Sequence, residues 1–562
     1  MRLRPVPWRK LFSRSVRRLC SPHCHRRRAV SLETWQDFDD HWIHHGDLGF
    51  SLDVSRIAGL AETITAMGPA MNLALAAMAD LEAGACANPD EDRQVGHYWL
   101  RDPDLAPDES AANLIRETVA RIKSFATEVH AGRLAPAGGG RFCHVLHIGI
   151  GGSALGPQLI SQVLGRGGGG CRLHFLDNTD PDGFQQVLAA IGSELGSTLT
   201  VVVSKSGGTR ETHNGMLVVA AACRAAGLDF APHAVAITGK GSILDQQARE
   251  EGWRLILPLP DWVGGRTSLT AAVGLLPLAL AGGDVDAFLE GARRMDALTR
   301  RAAGCGNPAV AMALAWHAMT AGAARRSMVV LPYKDRLGLL ARYLQQLIME
   351  SLGKEMDMAG NKVNQGLTVY GNKGTTDQHA YVQQLREGPD DFFVTFVQVL
   401  EDAAMPVPEV APGATPGDFL LGFLLGTRQA LGDKGRSSLL ITLRRLNERS
   451  LGALIALFER AVGLYASLVN VNAYNQPGVE AGKQAAGGVM GLQESIQKAL
   501  VRRSGIWLSP GDIAADAGEA GSVETAFHIL RHLAANPRRG VDEEEGDRPA
   551  TWRFRGTTEE SR

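Results

Sequence analysis

The feature that most limits the fold is an alternation of short apolar runs and amphipathic stretches that follows the breaker cluster Ala135–Gly140. The runs have the length of strands and the stretches have helical spacing, a pattern typical of a doubly wound parallel sheet. A second alternating region begins near Ser327, so the chain predicts two α/β domains. The predicted strands are Cys143–Ile148, Arg172–Asp177, Leu199–Ser204, His233–Thr238, Arg254–Leu257, Ser327–Tyr333, Thr368–Tyr370 and Phe392–Gln398.

The chain has 562 residues, which is too long for one ordinary hydrophobic core, so we expect several domains. Residues 1–30 carry ten Lys or Arg and no acid, and we expect them to be a disordered basic extension. The interpretation that follows is a helical part at 31–130, α/β domains at 131–310 and 311–500, and a small winged-helix-like module at 501–562.

Charge and cysteine usage exclude several classes of protein. Beyond the basic extension the chain has 48 basic and 60 acidic side chains, which disfavours a nucleic-acid partner. Seven scattered cysteines form no disulfide framework, so a reduced cytoplasm is expected. Cys20 and Cys24 could bind a metal, but no second ligand pair follows. The longest apolar run, Ala271–Ala281, is too short to span a membrane.

Two strands run into loops suited to an anion. The first loop, Gly149–Ser153, exposes backbone N–H groups at the start of a helix. By itself it resembles a dinucleotide fingerprint, and Asp177 at the next strand end keeps a dehydrogenase open as an alternative. The second loop, Ser204–Thr212, adds hydroxyl groups and a cation, Lys205 or Arg210, that can hold a phosphate monoester. Its alternative is an ordinary Ser-rich helix cap.

Residues that could do chemistry lie in four other segments. Gln346 and Glu350 are four apart and share one helix face, so a carboxylate base lies beside a hydroxyl-binding amide. Arg266 follows paired glycines and could hold a developing oxyanion. His379 follows a Gly-rich loop, and Lys483 lies one turn into a helix that begins near Pro477. Taken alone, each of these residues is equally consistent with a purely structural role.

Taken together, these segments resemble the glucose-6-phosphate isomerase family. From about Trp35 to Ala486 the chain carries, in order, Gly-Ile-Gly-Gly-Ser-x-Leu-Gly-Pro, Val-Gly-Gly-Arg-x-Ser, Met-Glu-Ser-x-Gly-Lys, Asp-Gln-His-Ala and Asn-Gln-Pro-Gly-Val-Glu-x-Gly-Lys. The resemblance implies an α/β fold of two flavodoxin-like αβα sandwich (sugar-isomerase) domains with helical additions and a winged-helix-like tail. Gly207-Gly208 departs from the bulkier residues of the animal enzymes and is similar to the bacterial and cyanobacterial branch.

The resemblance also implies roles for individual residues. The implied catalytic residues are Glu350, His379 and Lys483, assisted by Arg266. The implied substrate-binding residues are Gly152, Ser153, Ser204, Lys205, Ser206, Thr209 and Gln346.

The implied reaction is the interconversion of glucose 6-phosphate and fructose 6-phosphate through a cis-enediolate, in the cytoplasm. It requires no metal and no cofactor. The implied partners are sugar phosphates and a second copy of the chain, with active sites shared across a homodimer. Besides the dehydrogenase, a sugar-phosphate-sensing regulator is an alternative, but a regulator has no need of Glu350, His379 and Lys483 together.

Overall fold

The computed structural model describes residues 32–164, 169–303, 306–402 and 406–557, without the side chains of residues 32–34, 479–481, 483 and 484. The chain forms two compact units, Met1–Asn475 and Gln476–Arg562. The predictions for residues 1–30, including the metal-binding interpretation of Cys20 and Cys24, lie outside the described residues.

The first unit is an α/β structure with two main sheets. Its strands are β1 (Trp42–His45), β2 (Phe50–Arg56), β3 (His144–Ile148), β4 (Arg172–Leu176), β5 (Thr198–Val203), β6 (Ala234–Thr238), β7 (Leu255–Pro258), β8 (Ser327–Pro332), β9 (Lys354–Met356), β10 (Lys362–Gln365), β11 (Val369–Tyr370), β12 (Phe392–Val399) and β13 (Ser438–Leu443). Its α-helices are Leu32–Asp40, Leu60–Glu82, Glu109–His130, Leu155–Leu164, Pro181–Ile191, Arg210–Ala225, Ile243–Glu250, Ala272–Leu280, Val285–Thr299, Pro308–Thr320, Leu340–Leu344, Val382–Glu387, Pro416–Gly432 and Glu448–Leu468.

The first sheet is entirely parallel and has the strand order β4-β3-β5-β6-β7. That order is the flavodoxin-like 2-1-3-4-5, so the predicted fold class is confirmed for this half of the unit. Every residue of β5 is buried, which is why its sequence, Thr-Leu-Thr-Val-Val-Val, is almost continuously β-branched or apolar.

The strand order of this sheet reverses between β3 and β5. Chain connections leave the sheet in opposite directions at such a switch point, and a crevice opens outside the carboxyl ends of the two strands. β3 ends at Ile148 and β5 ends at Val203. The two anion-binding loops predicted from the sequence, Gly149–Ser153 and Ser204–Thr212, therefore leave the sheet side by side.

The second sheet is mixed, with the order β1-β2-β13-β12-β8-β11. β13, β12, β8 and β11 are parallel, whereas β2 pairs antiparallel with β13 and β1 extends the edge. The sequence analysis missed β1 and β2, which lie in a stretch interpreted as mostly helical, and also missed β13. In β2, alternating Phe50, Leu52 and Val54 carry the period-2 pattern that identifies a strand.

A buried helix, Glu448–Leu468, forms the centre of the first unit. It packs so closely on the helix Val285–Thr299 that a Cβ added at Gly452 would lie 2.0 Å from the Phe288 carbonyl oxygen. This helix and Leu60–Glu82 are long and apolar enough to cross a membrane by length and composition alone. A core helix such as Glu448–Leu468, which is buried on all sides, needs the same composition, so for this helix the criterion does not separate the two cases.

A cluster of buried ionic side chains joins the helices of this core. Arg101 Nε lies 3.0 Å from Asp296 Oδ2, and Arg101 Nη2 also pairs with Glu459. Arg460, next to Glu459 on the central helix, pairs with Glu82. Because the two partners of each pair come from different elements, the cluster ties together segments that are far apart in the sequence. We refer to Glu82, Arg101, Asp296, Glu459 and Arg460 as the ionic cluster.

The second unit is a small helical module with a hairpin. Its helices are Pro477–Arg502, Pro510–Asp516 and Val523–Ala534, and its hairpin pairs β14 (Val541–Glu544) with β15 (Arg553–Gly556). Ile496, Leu530 and Phe554 are fully buried in its core. From residue 510 onward, two helices followed by the hairpin are the elements expected of the winged-helix-like module predicted for the tail. The unit begins at Gln476 and so includes the helix on which Lys483 lies.

Candidate active site

The loop after β3 is held against a second loop, Gly264–Arg266. A Cβ added at Gly152 would lie 2.0 Å from the carbonyl oxygen of Gly265, so only glycine permits this approach of two backbones. His147, buried at the end of β3, donates from Nε2 to the carbonyl oxygen of Ser153 at 2.6 Å. Burial lowers the pKa of His147 to about 4, partly offset by that bond. A neutral His147 therefore fixes the loop without adding charge to the site.

The loop after β5 forms a small ring of hydroxyl and amide groups. Ser204 Oγ donates to Thr209 Oγ1 at 3.1 Å and accepts the Gly207 N–H at 3.1 Å, while Ser206 Oγ accepts the Gly208 N–H at 3.2 Å. Thr209 precedes the helix Arg210–Ala225, and its side chain makes no capping bond. The first N–H groups of that helix are thus left for an anion at the positive end of the helix dipole.

Lys205 connects this loop to the loop that leads to Arg266. Its Nζ donates to the carbonyl oxygens of Asp261 and Val263 at 2.8 and 3.1 Å. Burial lowers the pKa of Lys205, and the nearby carboxylate of Asp261 partly offsets this effect. The cation predicted from the sequence to serve a phosphate therefore also positions the neighbouring loop.

Glu350 lies at the end of a π-helical turn, Gln345–Glu350, where the sequence predicted a regular helix. Such turns occur often at functional sites. Its carboxylate is largely buried: Oε1 lies 3.5 Å from Arg266 Nη2, and Oε2 has no hydrogen-bond partner among the described residues. Gln346 is the second residue of the same turn, and its Nε2 lies 3.1 Å from where a Cβ would stand on Gly151. The structure thus brings together the β3 loop, Gln346, Arg266 and Glu350.

Arg266 is buried and held by backbone oxygens. Its guanidinium donates to the carbonyl oxygens of Ala473 and Asn475 at 2.8 and 3.0 Å, and it lies 3.4 Å from Ser351 Oγ. Burial lowers the pKa of Arg266, an effect that Glu350 opposes. The backbone bonds therefore place the cation beside Glu350, with which it forms an ion pair of 3.5 Å.

Lys354 is a part of the site that the sequence analysis did not assign. Its Nζ donates to the carbonyl oxygens of Glu350 and Ser351 at 2.7 and 2.9 Å. Burial and the positive charge of Arg266 lower the pKa of Lys354 to about 8. The bonds cap the carboxyl end of the segment that carries Glu350. Its place just after a helix end was the signal in the sequence.

His379 is not part of this group of residues. It is exposed at the end of a 3₁₀ turn, Thr376–His379, and within the described part of the chain no hydrogen bond or ion pair fixes its ring. The turn itself is rigid, because buried Asp377 accepts from the Asn372 backbone N–H at 2.8 Å and from Tyr381 Oη at 2.6 Å. Lys483 lies on the helix Pro477–Arg502 of the second unit, and its side chain is outside the described part.

A flavodoxin-like sheet with a Gly- and Ser-rich crevice at its switch point, beside a partly buried carboxylate, defines the class of α/β phosphosugar isomerases. Comparison with known proteins specifies the family. The family model for phosphoglucose isomerase matches residues 62–409 and 420–501. The chain belongs to the phosphoglucose isomerase family.

Curated relatives and solved structures agree with that assignment. The glucose-6-phosphate isomerase of Geobacter sulfurreducens is 58% identical over 510 residues, which cover 91% of this chain and 96% of the relative. That of Synechococcus elongatus is 56% identical over 512 residues, with the same coverage. The crystal structure of a glucose-6-phosphate isomerase from Chlamydia trachomatis is 26% identical with a TM-score of 0.72, covering 82% of this chain and 91% of that one.

Proposed function

We propose that this chain is an isomerase that interconverts glucose 6-phosphate and fructose 6-phosphate. The observation that carries the proposal is the carboxylate of Glu350. It lies next to the crevice loops with one buried oxygen, Oε2, that has no partner among the described residues. A buried acceptor without a donor is costly unless a ligand completes it. A sugar bound in the crevice supplies the C–H and O–H groups that this oxygen lacks.

Each catalytic side chain then has a defined task. Ring opening needs an acid at the ring oxygen and a base at the C1 hydroxyl, and His379 and Lys483 share these two roles. Glu350 takes the proton from C2 and returns it to C1, passing through a cis-enediolate. Arg266, 3.5 Å from Glu350, stabilises the negative charge of the enediolate. This chemistry requires neither a metal ion nor an organic cofactor.

The phosphate group binds away from the reacting carbons. The ring of hydroxyl and amide groups after β5 and the free N–H groups of the helix Arg210–Ala225 support this position. Binding energy gained there orients the sugar on Glu350. The phosphate contacts are Ser204, Lys205, Ser206 and Thr209, and the sugar contacts are Gly152, Ser153 and Gln346.

An assay for fructose 6-phosphate, coupled to a second enzyme, tests the proposal on the wild type and on Glu350→Gln. The amide keeps the shape of the side chain but cannot accept a proton, so we expect turnover to fall by about 10²–10⁴-fold. Glu355→Gln is the matched control, since Glu355 is exposed and pairs with Lys362 at the surface. An inactive wild type, or a Glu350→Gln enzyme with near-normal turnover, would contradict the proposal.

We further propose that the enzyme works as a homodimer and that His379 acts in the active site of the neighbouring subunit. Two observations support this arrangement. First, His379 is exposed on a rigid turn of its own chain. Second, the turn adjoins an unusually apolar helix face: Gln378 Nε2 donates to the carbonyl oxygen of Phe423 at 3.1 Å, on the helix Pro416–Gly432.

That helix exposes large apolar side chains that a second copy of the chain would cover. Phe419, Leu421, Phe423 and Leu425 are each between 41% and 49% exposed. So many large apolar side chains exposed on one helix are unusual on a monomer. Covering them with a second copy of the chain would bring the His379 turn to the dimer interface, as a closed two-fold assembly allows.

Complementation tests the shared site. Glu350→Ala and His379→Ala proteins, each inactive alone, are unfolded, mixed in equal amounts and refolded. If the two residues act across chains, one site of every mixed dimer is intact, and about a quarter of all sites recover under random pairing. No recovery, with dimers confirmed by mass, would place His379 in its own subunit's site or remove it from catalysis.

The compartment and the domain boundaries belong to the same proposal. Cys86, Cys143, Cys171 and Cys223 are free thiols in the described part of the chain, which supports a reducing cytoplasm. The parallel sheet of β3–β7 supports a first sugar-isomerase domain within 131–310, and the sheet of β8 and β11–β13 supports a second within 311–500.

A further inference from the structure

A tight turn, Asn88–Arg93, lies beside the active site and has no role in the reaction described so far. Its two ends are joined by reciprocal backbone bonds of 3.1 Å between Asn88 and Arg93. Asp92 takes up the left-handed conformation that closes it. Asp90 is therefore presented at the tip of a fixed loop.

The carboxylate of Asp90 is the common acceptor for two asparagine side chains. Its Oδ2 accepts from Asn472 Nδ2 at 2.6 Å and also from Asn475 Nδ2. Asn472 is buried and donates a second bond to Asn88 Oδ1 at 2.9 Å. Hydrogen bonds to an ionised acceptor are stronger than neutral ones. The segment 472–475 is thus attached to the Asn88–Arg93 turn at both of its ends.

The same segment holds Arg266 through its backbone. Arg266 Nη1 donates to the carbonyl oxygen of Ala473 at 2.8 Å, and Nη2 donates to that of Asn475 at 3.0 Å. Nη2 is also the atom that lies 3.5 Å from Glu350 Oε1. A rotation of the Asn475 peptide would break the bond to this nitrogen and change the position of the guanidinium relative to the carboxylate.

We propose that Asp90 is a positioning residue for the isomerisation. By accepting from Asn472 and Asn475 it fixes the two carbonyl oxygens that hold Arg266 at its working distance from Glu350. This inference rests on the proposed function, and it concerns the proton-transfer step rather than substrate binding. Among the described residues no hydrogen bond or ion pair joins Asp90 to Glu350, and its bonds to Asn472 and Asn475 carry its effect to Arg266 through the segment 472–475.

The first test is the kinetics of Asp90→Ala in the full-length enzyme. Misplacing a catalytic group from a distance can lower the rate by up to about 100-fold, so we expect kcat to fall about 10- to 100-fold with KM nearly unchanged. Asp90→Asn keeps an oxygen that can accept both bonds and is expected to restore most of kcat. Asp80→Ala, an exposed helical aspartate, is the matched control and should behave as wild type.

The decisive test repeats the substitution in an Arg266→Ala enzyme. If Asp90 acts through Arg266, Asp90→Ala causes no further loss of kcat once Arg266 is absent, as coupled residues in a double-mutant cycle require. An equal fractional loss in both backgrounds would overturn the proposal and leave Asp90 a purely structural residue. Unchanged kcat in the single variant would overturn it as well.

A substitute variant and two further measurements keep the result interpretable. If Asp90→Ala does not fold, Asn475→Ala removes one of the two bonds that Asp90 accepts and takes its place in the cycle. If the wild type is inactive in the coupled assay, the proposed function itself is contradicted. If the wild type is active and Asp90→Ala has the same kcat, only this inference is contradicted. Thermal unfolding of each variant separates a loss of fold from a loss of position.

Discussion

Removing Arg101 from the ionic cluster should destabilise the first unit strongly. The side chain is fully buried and pairs with Asp296 and Glu459, which are also buried. Arg101→Met keeps most of the volume but leaves two carboxylates without this cation. Breaking a buried pair from one side costs about 3–5 kcal/mol, because the remaining charge stays in a low-dielectric environment.

The expected change in melting temperature follows from the size of the unit, Met1–Asn475. With an unfolding entropy of about 2.1 cal/mol/K per residue, the whole unit has about 1 kcal/mol/K. A loss of about 3–5 kcal/mol therefore lowers the melting temperature by about 3–5 °C. Arg116→Met is the control: Arg116 pairs with Asp104 at the surface, and an exposed pair contributes at most about 1 kcal/mol.

The loss of stability caused by Arg101→Met should also depend on pH. Burial raises the pKa of Glu459 to about 7, and Arg101 opposes this rise. A carboxyl group with a raised pKa binds more protons in the folded state, so stability falls as pH increases from the unfolded value through the folded one. Without Arg101 the folded pKa increases further, and this fall extends to higher pH. The difference between wild type and Arg101→Met should therefore widen above about pH 7.

Calorimetry of both proteins between pH 6 and pH 8.5 measures these changes. Arg101→Met/Glu459→Leu should lose the part of the pH dependence that comes from Glu459, whereas Asp296, whose pKa is also raised by burial and opposed by Arg101, keeps its own part. A melting temperature within 1 °C of wild type, or a difference that stays constant above pH 7, would refute the reasoning about the ionic cluster.

Two other substitutions test the crevice. Gly152→Ala places a Cβ against the carbonyl of the neighbouring loop and should lower both activity and melting temperature. Gly183→Ala is the control and should lower neither, because no atom lies within 4 Å of the added Cβ. Equal behaviour of the two variants would contradict the close approach of the two loops. Thr209→Ala removes a hydroxyl group from the β5 loop and should raise KM for the sugar phosphate by about tenfold, as expected for a hydrogen bond to a charged group; an unchanged KM in the coupled assay would remove Thr209 from the phosphate site.

The sequence predicted the first sheet well because its central strands β3, β5 and β6 are buried on both faces. Such strands are short apolar runs, which are visible without knowing their neighbours. The edge strand β1 and its neighbour β2 were missed, since Trp42–His45 mixes aromatic and polar residues and sits within an otherwise helical region. β1 pairs with β2, and β2 pairs with β13, which lies almost 400 residues away and is a long-range contact.

The site was predictable where chemistry depends on residue type and hidden where it depends on backbone geometry. Glu350 and Arg266 could be named from their motifs, and the structure places them 3.5 Å apart. The carbonyl oxygens of Ala473 and Asn475 that orient Arg266 carry no signature in a sequence, because any residue has a carbonyl group. The bond from Asn475 to Asp90 joins positions 385 residues apart, so spacing along the chain could not reveal it.

The central claim is that Glu350 carries a proton between C2 and C1 of the sugar, and isotope transfer from solvent tests it directly. Glucose 6-phosphate is incubated with the enzyme in D₂O, and deuterium at C1 of fructose 6-phosphate is followed by NMR. Because a carboxyl proton exchanges with solvent during the life of the enediolate, we expect the wild type to introduce deuterium. We expect Glu350→Gln to introduce it about 10²–10⁴-fold more slowly. Isomerisation without any deuterium after many turnovers, or labelling by Glu350→Gln at the wild-type rate, would contradict the account.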